Sequence, residues 1–99
     1  GTDGGYLFFG LISSQFFNLV ALKLGKSAGK TTAEIAKEIG ANAWVLGKME
    51  NFASGFSQEE LKQIAEKFAK TDEKLKSISA DPWEMNEALL LEICMLSKK

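Results

Sequence analysis

Histidine and arginine are both absent from this chain, and cysteine and proline each occur once. Without an imidazole there is no histidine general base, and a lone thiol cannot complete a zinc set or close an internal disulfide. All 12 basic residues are lysine, so the forked guanidinium contacts that suit phosphate and guanine are missing too. Charge is balanced: 12 basic against 13 acidic residues give a formal net charge of -1, and no global field draws the chain to nucleic acid or an anionic membrane. The scarcity of cysteine suits a reducing compartment, and a cytoplasmic location is expected. Strand-like alternation, clear internal repeats and low-complexity tracts are also lacking, which argues against sheet, solenoid and disordered architectures.

What is present suffices for one core. Hydrophobic residues make up 45% and charged residues 25% of 99 positions, an ordinary composition for a single globular domain. The most apolar stretch, 6–24, is interrupted by Ser13, Ser14, Gln15 and Asn18, groups that are costly to place in lipid. It also lacks a basic leader and a clear small-residue cleavage site, so no membrane or targeting role is expected. Residues 1–5 read as a ragged N-terminus or cloning scar. The span 6–97 reads as one all-α domain, a five-helix bundle with helices at about 6–24, 32–39, 43–54, 58–78 and 82–97.

The boundaries follow from capping chemistry. Thr31 with Glu34, and Ser57 with Glu60, have the spacing of capping boxes, in which each side chain satisfies an orphan amide of the other residue. Phe56 and Leu61 flank the second box at the positions of a hydrophobic staple. Gly40 and Gly55 follow their helices as stops, Asn42 can cap the third helix, and Asp81-Pro82 opens the last. The expected inward residues are Ile35, Ala36 and Ile39; then Trp44, Val45, Leu46, Met49, Phe52 and Ala53; then Leu61, Ile64, Ala65, Phe68, Leu75 and Ile78. Trp44 and Trp83 read first as core anchors and second as interface residues, Cys94 as an inert core thiol, and Asp72 as a solvated or hydrogen-bonded position on or beside its helix's buried stripe.

Few motifs offer chemistry. Gly25-Lys26-Ser27-Ala28-Gly29-Lys30-Thr31 resembles a phosphate-binding loop but has three residues between its glycines where that loop needs four, and a helix rather than a strand leads into it. A helix-turn-helix is the stronger rival, since Thr32 to Gly40, a turn and a third helix have its spacing. The helix that would read DNA, from Ala43 to Ser54, offers Lys48 as its one cation and also carries Glu50, so it has little with which to neutralise phosphate. The neighbouring carboxylates Glu59 and Glu60, and Asp72 and Glu73, read as solvated faces. No catalytic, cofactor-binding or metal-binding residue is expected.

The order of segments is more telling than any one motif. Gly25-Lys26-Ser27, then Ala33-Glu34-Ile35-Ala36-Lys37-Glu38-Ile39-Gly40, then Trp44 leading a helix, are followed by Phe56-Ser57-Gln58-Glu59-Glu60-Leu61, Asp72 with Leu75-Lys76-Ser77, and Asp81-Pro82 before a leucine-rich helix. This resembles the C-terminal domain of the delta subunit of bacterial DNA polymerase III, a clamp-loader component, from about Leu7 to Leu96. It departs from the family at Gly47, Glu50 and Gly55, where basic residues are usual.

The resemblance implies a clamp-loader collar-like fold and a non-catalytic part in DNA replication. In such proteins the C-terminal helical domains associate in a collar, here with gamma/tau and delta prime subunits as partners, and DNA and the sliding clamp are met through the parent complex. The first and last helices carry more apolar surface than one neighbour covers. The candidate subunit interface is therefore Phe9, Phe16 and Phe17 on the first helix and Leu90, Leu91 and Cys94 on the last.

Overall fold

The computed structural model describes residues 2–77 and 80–97. Among them are six helices and no strand: α1 (Thr2–Ser27), α2 (Thr32–Ile39), α3 (Ala43–Lys48), α4 (Glu50–Ser54), α5 (Gln58–Leu75) and α6 (Pro82–Ser97). The all-α class holds, with one helix more than expected. The expected third helix is divided at Met49, whose N–H bonds the Leu46 carbonyl 3.0 Å away, three residues back instead of four. Gly47 lies within this stretch and contributes neither helix propensity nor side-chain packing.

The capping chemistry is realised. Thr31 Oγ1 accepts from the Glu34 amide while the Glu34 carboxylate accepts from the Thr31 amide, and Ser57 and Glu60 repeat the exchange. Asn42 Oδ1 accepts from the amides of Trp44 and Val45. Asp81 Oδ1 accepts from Trp83 and Glu84, with Pro82 at the first helical position, where a missing N–H costs nothing. Gly40 ends α2 in the left-handed region at φ 71°, conformational space that a side chain would strain. α5 ends at Leu75 with Lys76 and Ser77 in a turn; Ile78, expected on its stripe, lies outside the described residues. α1 begins at Thr2, ahead of the expected start at 6.

α1 is the spine, and every other helix packs against it. α5 runs antiparallel to it: the Tyr6 hydroxyl donates to the Leu75 carbonyl at 3.2 Å, Phe16 stacks on Phe68 with ring centres 4.8 Å apart, and Leu24 shares a hollow with Gln58 and Leu61. α6 runs parallel to α1, with Pro82 and Trp83 against Gly4 and Gly5 at one end and Ile93 near Phe16 further along. The short helices α2, α3 and α4 gather on the C-terminal half of α1, where Leu22 is wholly buried beside Ala53 of α4.

One continuous core results, running through Leu19, Leu22, Ile35, Ala36, Leu46, Ala53, Phe56, Leu61, Ile64, Phe68 and Leu89. Each fully buried leucine, isoleucine or phenylalanine in it contributes on the order of 1.5–3 kcal/mol relative to its exposed state. Several expectations of burial fail. Trp44 is 72% exposed, Val45 and Phe52 are exposed, and of the expected inward face only Leu46 and Ala53 are fully buried. A helix of six residues makes under two turns and seats only Leu46, leaving Trp44 and Val45 on its outer side. Trp83 is 50% exposed, lying on Phe8 at the bundle surface with ring centres 5.6 Å apart. Ala65 and Cys94 are also exposed, so Cys94 is a surface thiol, not a core one.

Candidate subunit interface

Helices that pack on one side only leave the other to be explained. On α1 the inner residues Leu19 and Leu22 join the core, while Leu7, Leu11, Phe17 and Leu24 are exposed with Gly10 and Ser14 between them. On α6, Pro82, Asn86 and Leu89 face inward, and Trp83, Leu90, Leu91 and Met95 face outward. On α3 and α4 the outer residues are Trp44, Val45 and Phe52. Single exposed apolar residues are ordinary on a soluble surface; here they recur along three parts of one small fold.

The six expected interface residues fall into three groups. Phe9 and Phe16 are half-buried and packed on Phe68, so their rings belong partly to the core and partly to a groove. Phe17 is exposed and lines the same groove, which runs between α1 and α5. Leu90, Leu91 and Cys94 lie on the exposed side of α6. Phe16 and Leu90 both line an apolar pocket between α1, α4, α5 and α6.

The α1–α5 groove has two adjoining hollows of about 540 and 370 Å³ that share Val20 and Ala65. Phe9, Phe16 and Phe68 line it, with the small side chains of Ala65 and Ala69 on the α5 side. From Phe9 to Leu24 it follows about 22 Å of helix, at about 1.5 Å per residue. Trp44, Phe52, Leu7 and Met95 are further exposed apolar residues that sequence reading assigned to the core or left unassigned; being exposed on short or outer faces, they carry no periodic signal that separates them from core residues.

The two rival sites have other occupations for their charged groups. In the glycine-rich turn, both carboxylate oxygens of Glu38 lie 2.8 Å from Lys30 Nζ, Lys26 Nζ lies 3.4 Å from Glu50 Oε1, and Thr31 caps α2. Glu50 also accepts from the Thr32 hydroxyl, which holds its carboxyl below the usual range, helped by Lys26. This ties α1, α2 and α4 together. Lys48, the sole cation of α3, lies over the Trp44 ring 4.9 Å from its centre, a cation–π contact at the surface.

The family described as DNA polymerase III delta subunit, C-terminal domain, matches residues 6–96. No curated protein and no solved structure matches the chain. The match spans all six helices except the first residues of α1 and the end of α6.

Proposed function

Because the chain belongs to the family formed by the C-terminal domains of DNA polymerase III delta subunits, we propose that it is a non-catalytic assembly domain that joins other clamp-loader subunits in a helical collar in the cytoplasm. The observation that supports this reading most strongly is the outer side of α6, where Leu90, Leu91 and Met95 are exposed in succession on a helix whose other side is already seated on α1 and α5. A helix with its inner face satisfied and its outer face apolar is stabilised by a second neighbour.

The partners on this reading are the gamma/tau and delta prime subunits, and the sliding clamp and DNA are reached through the assembled complex. α1 supplies a second apolar face through Leu7, Leu11 and Phe17. Its window from Gly4 to Ser27 is long and apolar enough to cross a membrane by length and composition. All five other helices pack on it, and Leu19 and Leu22 lie in the core, so α1 serves as the central packing element of the bundle.

The test is charge on the outer side of α6. Leu91→Glu changes a residue that is 59% exposed, so the fold should survive while association with the partner domains is lost. Unchanged association would remove α6 from the interface.

A further inference from the structure

We propose that Asn86 is a positioning residue that fixes, independently of any partner, the rotational setting of α6 against α1, a choice that the apolar packing of these two helices leaves open. No charged residue occurs from Gly4 to Leu22 of α1, and apolar residues stand side by side there as Phe8-Phe9 and Phe16-Phe17. α6 repeats the pattern with Leu89-Leu90-Leu91. Neighbours in sequence lie about 100° apart around a helix, so both helices are apolar on more than one side. Burial of like side chains is non-directional and discriminates weakly between one setting and the next.

Contacts at one crossing supply the discrimination. Asn86 is 1% exposed, and its amide donates to the Gly5 carbonyl at 2.8 Å. Its Oδ1 has no hydrogen-bond partner among the described residues, which makes the contact a costly source of stability but a directed source of geometry. A single buried asparagine fixes register in coiled coils on the same terms. One position either way along α6 stand Met85, whose side chain has no N–H or O–H to donate, and Glu87, whose carboxylate would meet the carbonyl as one acceptor meets another. α1 is held separately at this turn, because the Tyr6 hydroxyl donates to the Leu75 carbonyl at the end of α5. The open choice is therefore the setting of α6.

That setting decides which residues α6 shows to solvent, in this structure Trp83, Leu90, Leu91 and Met95. Leucine at position 86 would match asparagine in its branching while removing the orphan oxygen. The Gly5 carbonyl lies within α1 and keeps its helical bond to the amide four residues on, so no buried group is left unpaired by the exchange. Met85, already half-buried, would then suit the Gly5 backbone as well as residue 86 does, and the preference for one setting would be lost without loss of stability.

The experiment compares the indole N–H signals of the parent chain and its Asn86→Leu variant in heteronuclear NMR spectra, alongside thermal melting. Trp83 reports on the crossing, since its ring lies 5.6 Å from that of Phe8 and a Cβ on Gly4 would lie 3.3 Å from it. Trp44, 72% exposed on α3, is the internal control. The parent should give one sharp signal from each. The expected result for the variant is a melting temperature no lower than the parent's, with the Trp83 signal split or broadened and the Trp44 signal still single and sharp. A single sharp Trp83 signal in the variant, whatever its melting temperature, would overturn the proposal, since Asn86 would then be an ordinary stabilising contact. Broadening of both signals would overturn it too, because it marks general loosening of side-chain packing. Should Asn86→Leu fail to fold, Asn86→Ala, which adds no atoms to the crossing, is read by the same two signals. Failure of both variants to fold would overturn the proposal.

Discussion

The side-chain amide of Asn86 donates to the main-chain carbonyl of Gly5, 2.8 Å away across 81 residues of chain. Asn86 is 1% exposed, and its Oδ1 has no partner among the described residues, so the contact buries polar surface to obtain one directed bond. It sits where α1 and α6 approach closely: a Cβ on Gly5 would lie 2.5 Å from Pro82 Cβ, a distance that forces the backbones apart. The start of α1 is thus locked to the start of α6, which also orients the outer sides of both helices.

Gly5→Ala tests this lock. One added methyl has no room against Pro82, and overpacking of this kind costs about 1–3 kcal/mol. The expected outcome is a lower urea midpoint with an unchanged slope; an unchanged midpoint would mean that α1 and α6 can separate without cost.

The second capping box makes a separate prediction. Ser57→Ala removes the acceptor 3.0 Å from the Glu60 amide and should cost about 0.5–2 kcal/mol, read as a shift in thermal midpoint. The neighbouring staple partners Phe56 and Leu61 are both buried, so Leu61→Ala should cost more, about 2–5 kcal/mol. A reversed order of the two effects would contradict the packing described.

Acid should loosen the join between α1, α2 and α4. The Thr32 hydroxyl, and secondarily Lys26, holds Glu50 below its ordinary value of 4.5, and the Thr31 main-chain and side-chain hydrogen bonds hold Glu34 below the same value. The unfolded chain therefore binds these protons more readily, so the stabilisation is complete above the ordinary carboxylate range and is lost as pH falls through the lower folded values. Both groups are exposed to solvent, so the effect is small. Glu50→Gln should flatten the acid limb of a stability–pH curve, and an unchanged limb would count against the Glu50 contact.

Much of this fold was legible because its helix starts are written in side chains that act locally. Thr31, Asn42, Ser57 and Asp81 cap the helices they were expected to cap, since a capping hydrogen bond reaches only two or three residues along the chain. Faces were less legible. Trp44 and Phe52 were assigned inward on the assumption of one helix from 43 to 54, whereas the chain divides there into two short helices at the tightened turn at Met49, an effect no spacing rule carries. Thr71 and Asn86 are buried polar residues whose burial depends on which helices cross above them. The expected interface residues Leu90, Leu91 and Cys94 are exposed because α6 has neighbours on one side only, whereas Phe9 and Phe16 are shared with the core through Phe68.

The most direct test of the assembly reading is light scattering of the purified chain, alone and mixed with the C-terminal domains of the other clamp-loader subunits. A complex whose mass is the sum of this chain and its partners is the predicted result. A chain that keeps its own mass in the presence of every partner would contradict it.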